Sequence, residues 1–173
     1  MGSNMMVSAE PAADCRGRNT GPSPAAAARH VHHGQAASPD GRALEYLPTS
    51  ECLRLAGTVP VGRVFYSKQA MPAVAMVNFA LSTDGCIVFR TEAGGKLWSA
   101  MQRAVVAFEA DRMDEANRSG WSVTVVGRAE EVTDGREVAA LRKLGLDPWA
   151  PGERDHFIRI RPEIVTGRRI RSA

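Results

Sequence analysis

Large apolar residues are almost confined to the last three quarters of this 173-residue chain. Residues 1–43 contain Val7 and Val31 as their only Val, Leu or Ile residues, and they contain no aromatic residue. Alanine supplies most of the apolar content of this segment. A segment of that kind buries too little surface to offset its ordering entropy. We therefore predict a disordered, low-complexity tail over 1–43 and one folded domain over 44–173.

The composition excludes several classes of protein. No stretch approaches the roughly 20 apolar residues that span a bilayer, and no apolar segment of a secretory signal follows the first basic residues. The cysteines, Cys15, Cys52 and Cys86, are far apart and form no C-x-x-C pattern, which predicts neither a disulfide framework nor a zinc site. Cys52 and Cys86 are expected to be small core residues. These features predict a cytoplasmic protein with no membrane partner and no metal.

The charge of the chain is a weak indication of nucleic-acid binding. The formal net charge is +3 and the sequence pI is near 9.0. The dense basic cluster of the domain, Arg168, Arg169 and Arg171, lies at its C-terminus, and no aromatic residue is interleaved there to stack on bases. We expect a frayed basic terminus and no nucleic-acid partner.

Turn residues separate short segments that are rich in β-branched and aromatic residues, and such segments are typical of strands. The pattern predicts strands over 59–66, 73–81, 86–91, 104–111, 120–132 and 156–160, the last continued by or paired with 163–170. It predicts short helices over 49–56, 97–103 and 135–144. Thr49 or Ser50 is expected to cap the first helix, and Asp84-Gly85 favours a hairpin turn. This succession predicts a mainly β (α+β) fold, a six-stranded antiparallel barrel with short flanking helices.

The segment Phe89-Arg90-Thr91-Glu92-Ala93-Gly94-Gly95-Lys96-Leu97 carries the most informative local pattern. A strand ends in Arg90 and Thr91, a glycine pair follows, and Lys96 stands at the start of a helix. A guanidinium, a hydroxyl, an ammonium and free backbone N–H groups together can bind a phosphate. The spacing matches neither a Walker A loop nor a dinucleotide fingerprint. The alternative is a solvated loop in which Arg90 pairs with Glu92.

Three further residues are candidates for ligand contact. Asn78 is a polar amide inside the apolar strand segment 74–79, where it either faces outward or binds a partner. Trp121 and Trp149 can be core residues. Trp149, held between Pro148 and Pro151, can instead cover a planar ligand.

No pattern identifies a catalytic residue. His156 is the domain's only histidine, and a structural role is favoured over that of a general base. Glu109 and Asp111 share a strand face, where they form either a carboxylate pair or a solvated surface.

Many short blocks of residues 47–170 resemble, in order and spacing, the FMN-binding split-barrel proteins related to pyridoxamine 5′-phosphate oxidase, in particular their short actinobacterial-type branch. The blocks are Glu51-Cys52-Leu53, Val61-Gly62-Arg63, Pro72 through Asn78-Phe79, Phe89-Arg90-Thr91, Gly95-Lys96-Leu97, Phe108-Glu109-Ala110-Asp111, Ser119-Gly120-Trp121-Ser122-Val123, Gly127-Arg128-Ala129, Pro148-Trp149-Ala150-Pro151-Gly152, Arg159-Ile160-Arg161-Pro162 and Val165-Thr166-Gly167-Arg168.

The resemblance implies a six-stranded split barrel that forms a homodimer with two flavin sites between the subunits. It implies that Arg90, Thr91 and Lys96 bind the FMN phosphate, with Leu97 as a further cofactor contact. It also implies that the strand segment Met76-Val77-Asn78 lies along the isoalloxazine ring. Trp121 and Trp149 are implied as pocket walls, and the resemblance leaves open whether one of them is supplied by the partner chain.

We therefore expect an FMN-binding oxidoreductase that acts on a small-molecule substrate. The flavin carries the redox step, so no acid–base residue is required for hydride transfer. The chain lacks the longer C-terminal segment, with its Arg and His motif, of the oxidases that act on pyridoxamine phosphate. Two alternatives remain open: the same fold binding a deazaflavin coenzyme or haem, with His156 as an axial ligand, or a non-catalytic flavin-binding module.

Overall fold

A computed structural model describes residues 43–92, 94–149 and 151–171, so the predicted tail lies outside the described residues except at Ala43. Within these ranges the chain forms seven strands and three short helices. The strands are β1 (Ala43–Tyr46), β2 (Val61–Lys68), β3 (Met71–Leu81), β4 (Ile87–Thr91), β5 (Val105–Asp114), β6 (Ser119–Val132) and β7 (His156–Arg171). The helices are α1 (Thr49–Ala56), α2 (Lys96–Met101) and α3 (Gly135–Arg142).

The strands form one antiparallel sheet that closes on itself. The order is β1-β7-β4-β3-β2-β5-β6, and a further pairing between β6 and β7 joins the ends of a six-stranded ring. The predicted mainly β barrel of six antiparallel strands with short helices is therefore confirmed. Strand β1 was not predicted, and it pairs with the last four residues of β7.

Strand β7 closes the ring because it is long enough to meet three neighbours. Its first five residues pair with β4, almost its whole length pairs with β6, and its end pairs with β1. The sequence left open whether 156–160 and 163–170 are one strand or two, and they form one strand of 16 residues. The register with β6 shifts by one residue beside Pro162, a β-bulge that accommodates the missing N–H of proline.

Two local predictions are wrong. Thr49 and Ser50 both lie within α1, which follows Pro48 and has no side-chain cap. Strand β2 runs to Lys68, two residues beyond its predicted end, so the turn before β3 falls at Gln69 and Ala70, which have positive φ angles of 51° and 63°. The predicted hairpin at Asp84-Gly85 is confirmed, since Gly85 has a φ of 79°.

The core fills the ring and extends beneath α3. Phe79 and Phe108 meet edge to face inside the ring with their centroids 4.6 Å apart, and they pack with Phe89, Ile158 and Ile160 in the main buried cluster. A second, smaller cluster of Val88, Val132 and Phe157 lies on the outer face of the sheet, packed against residues of α3 and the loop that follows it.

The two cysteines predicted as core residues are buried. Cys52 is a free thiol, whereas Cys86 is disulfide-bonded, so the expectation of unpaired cysteines is wrong at Cys86. No helix among the described residues is long and apolar enough to cross a membrane.

Candidate functional site

The loop between α3 and β7 is held across the outside of β3 and β4 by two of the predicted site residues. Asn78 lies one residue before Phe79, Arg90 lies one residue after Phe89, and Phe79 and Phe89 are directly paired. The two polar side chains therefore stand at the same level on neighbouring strands. Both contact the loop that carries Trp149.

Arg90 contacts this loop near both of its ends. Its Nε and Nη1 donate to the carbonyl oxygens of Arg154 and Leu146, at 2.5 and 3.2 Å, and its Nη2 forms a 3.0 Å ion pair with Asp155. The guanidinium carbon also lies 5.5 Å from the ring centre of Phe157, within range of a cation–π contact. The planar fork of arginine can meet acceptors in three directions, which an ammonium group cannot do as well.

Asn78 anchors the middle of the loop. Its Oδ1 accepts a 2.8 Å hydrogen bond from the backbone N–H of Trp149, and its Nδ2 lies 3.5 Å from the carbonyl oxygen of Pro60. The indole of Trp149 itself is 72% exposed. The backbone of this residue is therefore fixed while its ring remains available for a ligand or a partner.

Glu92 joins the loop to the glycine bend. Its carboxylate lies 3.4 Å from the guanidinium of Arg154, and a Cβ at Gly152 would lie 3.5 Å from it. The alternative pairing of Arg90 with Glu92 is not observed, since the arginine that meets Glu92 is Arg154.

The bend contains a buried hydroxyl beside an obligatory glycine. Thr91 is 2% exposed, and a Cβ at Gly95 would lie 3.7 Å from its Oγ1 and 3.1 Å from the carbonyl oxygen of Glu92. Gly94 has a φ of 61°, a conformation that favours glycine. Gly95 precedes α2 without any side-chain cap. Leu97 packs against the core, and the side chain of Lys96 lies outside the described residues.

Met76, Val77 and Asn78, the predicted ring-contact segment of β3, face two different sides of the sheet. Val77 is buried in the core, whereas Met76 is 72% exposed on the outer face with Asn78. Only the outward residues of this segment can therefore contact a ligand or partner at the surface.

The structure places Trp121 at the N-terminal end of β6, whereas Glu131 lies at the C-terminal end of the same strand. Trp121 is 8% exposed and stands between its ladder partners Arg112 and Arg169. It lies about ten residues along β6 from Glu131, which corresponds to roughly 33 Å of strand. Trp121 borders an open cleft of about 460 Å³ that is lined by Ser119–Trp121 and Arg169–Arg171. It therefore belongs to a different end of the barrel from Arg90 and Trp149.

A second cleft of about 460 Å³ lies near Asn78. It is lined by residues at the end of α1, by the C-terminal part of β3 and by Leu144: Gly57, Thr58, Val59, Pro60, Phe79, Ala80 and Leu81 complete the lining. Asn78 borders this cleft through its contact with Pro60.

Charged groups that looked like catalytic or nucleic-acid-binding candidates are paired within the chain. Glu109 and Asp111 both accept from Nη1 of Arg63, at 2.9 and 2.7 Å, and these hydrogen bonds raise the pKa of Arg63. His156 meets Glu131 through Nδ1. The contacts with Arg63 therefore show that Glu109 and Asp111 form cross-strand ion pairs between β5 and β2.

The C-terminal basic cluster is also neutralised locally. Arg169 contacts Glu51 and Glu45, and Arg171 contacts Glu45 at 2.9 Å. Hydrogen bonds from Arg54 and Arg169 lower the pKa of Glu51 to about 2. The expected fraying of this terminus is not observed, because its arginines fasten β7 to β1 and α1.

Sequence reasoning missed Arg154, Asp155 and Glu131, which contact Glu92, Arg90 and His156 respectively. Each becomes a neighbour of the site only through long-range pairing. A usable signal was the charged run 153–156 that directly follows the predicted Pro-Trp loop.

The architecture is that of a small antiparallel split barrel with a glycine bend at the end of one strand. A family model described as pyridoxamine 5′-phosphate oxidase matches residues 48–169 of the chain. The chain therefore belongs to this family.

Relatives of known sequence and structure agree with that assignment. The chain is 41% identical over 140 residues to the uncharacterized protein Rv0080 of Mycobacterium tuberculosis, covering 78% of this chain and 91% of the relative. The structure of an FAD-binding protein from Mycobacterium smegmatis is 34% identical, with a TM-score of 0.66 over 75% of this chain and all of that one. An FAD-binding protein from Mesorhizobium loti is 28% identical, with a TM-score of 0.61 over 73% of this chain and 97% of that one.

Proposed function

We propose that this protein is a flavin-dependent oxidoreductase that binds FMN and acts on a small-molecule substrate. The observation that carries the proposal is the bend at the end of β4, where the buried hydroxyl of Thr91 lies beside Gly95. Family membership and the similarity to two proteins named for FAD binding support a flavin. The 5′-phosphate that such a bend would bind is common to FMN and FAD.

The residues present fit a flavin phosphate. A side chain at Gly95 would come within 3.1 Å of the carbonyl oxygen of Glu92, so glycine keeps the backbone at the bend open. The first N–H groups of α2 have no intrahelical partner and no side-chain cap. These N–H groups, the Thr91 hydroxyl and Lys96 would hold the phosphate.

The anchored loop would position the rest of the site. Arg90 and Asn78 fix the backbone around Trp149, whose exposed indole can cover one face of a planar ring. A bound flavin supplies the hydride-accepting chemistry. The chain's own residues bind the phosphate, orient the ring and exclude water.

The proposed functional unit is a homodimer with flavin sites between the subunits. The outer face of β2, β3 and β5 exposes Phe65, Val74, Met76 and Val105, and Phe65 stands directly opposite Val74. Exposed apolar patches of this kind mark interaction surfaces. Trp121 lies too far along β6 to reach the bend of its own chain, so in this arrangement it would serve the partner's site.

The cofactor test uses the purified full-length chain. We expect a yellow protein, and we expect apoprotein to quench the fluorescence of added FMN. Thr91→Val and Lys96→Ala should each weaken FMN binding about tenfold, the value of one hydrogen bond to a charged group. Lys68→Ala, which removes an exposed lysine at the end of β2, is the matched control and should leave binding unchanged.

The contrary result is a colourless protein with no affinity for FMN or FAD. Absorption spectra after incubation with haem or a deazaflavin would then identify either alternative cofactor. Substrate-dependent reoxidation of a reduced, bound flavin distinguishes an oxidoreductase from a flavin-binding module.

The assembly test measures molar mass in solution. Met76→Glu should convert the dimer to a monomer, because it places a charge in the apolar face. Ile164→Glu, at an exposed position of β7 away from β2 and β3, is the control and should leave the dimer intact. A monomeric wild-type chain would contradict the homodimer.

A further inference from the structure

A histidine–carboxylate pair stands at the end of the barrel next to the glycine bend. His156 begins β7, and its Nδ1 lies 2.5 Å from Oε1 of Glu131 on β6. In the β6–β7 ladder Glu131 is opposite Ile158, so His156 is its diagonal neighbour. The imidazole is therefore held from the side by a residue of the adjacent strand.

The same imidazole is the direct cross-strand neighbour of Thr91. His156 pairs with Thr91 across β4 and β7, two positions from the core pair Phe89 and Ile158, so both side chains point to the inner face of the sheet. Directly opposed side chains have Cβ atoms about 5 Å apart. His156 is partly exposed, whereas Thr91 is buried beside Gly95. The imidazole thus forms one wall of the proposed phosphate site.

The pairing with Glu131 decides what the other ring nitrogen can do. A carboxylate only accepts hydrogen bonds, so Nδ1 carries the proton that it donates to Glu131. In the neutral ring Nε2 is then a lone pair, which disfavours an anion. In the charged ring Nε2 is a donor, and the ring adds a positive charge.

The described charges around the bend leave room for that positive charge. Arg90 on β4 faces the outer side of the sheet and pairs with Asp155, and Arg154 in the loop pairs with Glu92 of the bend. On the inner face Glu131 of β6 is the carboxylate that meets His156. An incoming phosphate therefore gains from a further cation among these side chains.

We propose that His156 is a phosphate-binding residue whose protonated imidazole contacts the flavin phosphate, and that Glu131 is the residue that positions it. This inference rests on the proposed flavin function. It predicts that flavin nucleotides bind more tightly at a pH where the imidazole is charged than at a pH where it is neutral, because only the charged ring offers Nε2 as a donor to the phosphate. The effect requires a phosphate, so riboflavin should not show it.

The experiment titrates the full-length apoprotein with FAD, FMN and riboflavin by fluorescence quenching between pH 5.5 and 8.5. FAD is the decisive probe, because its phosphates do not titrate in this range, whereas the second pKa of a phosphate monoester such as FMN is about 6. We expect FAD to bind about tenfold more weakly at pH 8 than at pH 6 and riboflavin to show no such change.

Three variants assign the effect. His156→Gln should abolish the pH dependence of FAD binding. Glu131→Gln keeps a hydrogen-bond acceptor for Nδ1 but removes the charge, so it should weaken the binding of FAD at pH 6 and leave the binding of riboflavin unchanged. Glu130→Gln, whose side chain pairs with Arg159 and Arg161 instead, is the matched control and should retain the wild-type profile.

A measurement on the wild-type chain keeps the test valid if a variant does not fold. The imidazole resonances of His156 should shift when FAD is added at pH 6 and should stay in place when riboflavin is added. A pH-independent affinity of wild-type protein for FAD, or an unchanged pH profile in folded His156→Gln, would overturn the role of His156 while leaving the flavin function intact. Absence of binding by every flavin at every pH would instead overturn the flavin function, and this inference with it.

Discussion

The side-chain oxygen of Asn78 accepts a 2.8 Å hydrogen bond from the backbone N–H of Trp149, a residue 71 positions later in the chain. One of these residues belongs to a strand of the ring, and the other belongs to a proline-flanked loop. The bond fixes the backbone of the loop at Trp149 and leaves the indole exposed. The site therefore depends on a contact in which Trp149 takes part through its backbone.

Replacing Asn78 tests this contact. Asn78→Ala removes the acceptor, so the Trp149 amide should exchange its hydrogen faster, and unfolding should be easier by about 1 kcal/mol. Asn78→Asp keeps an acceptor in the same place and should restore protection. Amide hydrogen exchange followed by NMR measures the effect. Equal protection in the alanine variant and the wild type would show that the bond does not hold the loop.

The loop should also loosen when the fork of Arg90 is removed. Arg90→Lys keeps the positive charge but cannot meet the carbonyl groups of Leu146 and Arg154 together with Asp155. We expect trypsin to cut after Arg154 about tenfold faster, since a loss of about 1.4 kcal/mol in local stability raises the open population by that factor. Limited proteolysis followed by mass spectrometry measures the rate.

Two comparisons make the Arg90 experiment specific. Arg112→Lys, at an exposed position of β5 far from the loop, should leave cleavage after Arg154 at the wild-type rate. Asp155→Asn removes only an exposed ion pair, so its effect should be much smaller than that of Arg90→Lys. An equal effect of both substitutions would assign the anchoring to the ion pair and not to the carbonyl contacts.

Gly127 should be indispensable for closing the ring. A Cβ at this position would lie 1.7 Å from the carbonyl oxygen of Arg161 on β7, which is backbone and cannot move aside. Gly127→Ala should lower the free energy of unfolding by about 3 kcal/mol or more. Gly135→Ala, where nothing lies within 4 Å, should leave it unchanged or raise it by up to about 1 kcal/mol. Urea denaturation compares the two, and equal midpoints would contradict the close approach.

The contribution of Glu51 to stability should disappear in acid. Hydrogen bonds from Arg54 and Arg169 lower its pKa from 4.5 to about 2 in the folded chain. A carboxyl group whose folded-state pKa is lowered stabilises the fold above its unfolded pKa, and that stabilisation is lost as the pH falls through the folded value. The difference in urea midpoint between wild type and Glu51→Gln should therefore shrink between pH 4.5 and pH 2. A difference that stays constant over this range would contradict the assignment.

Local signals predicted most of the strands, because their evidence is contained in a few neighbouring residues. Asp84-Gly85 specifies its own hairpin, and the alternation of Trp121, Val123 and Val125 indicates a buried face without reference to any other strand. Strand β1 has no such signal. Its four residues become a strand only because the end of β7, more than 120 positions later, offers a partner.

The candidate site likewise contains features that neighbouring residues predict and features that depend on long-range contacts. The glycine bend around Thr91 and Gly95 was predictable, since the residue types that indicate it are adjacent in the sequence, and its binding of a phosphate stays a prediction. The partners of Arg90 were not, because Leu146, Arg154 and Asp155 are 56 to 65 positions away. The distance between Trp121 and Trp149 follows from the ladder register, which no local pattern encodes.

The position of β7 in the ring has a consequence for how the protein is made. The strand that joins β1, β4 and β6 follows the other described strands in the chain, so the sheet stays open until β7 has been synthesised. Until then the borders of β4 and β6 that β7 will cover remain unpaired. The ring therefore closes only once β7 has emerged from the ribosome, and a premature stop within β7 should yield an aggregating product.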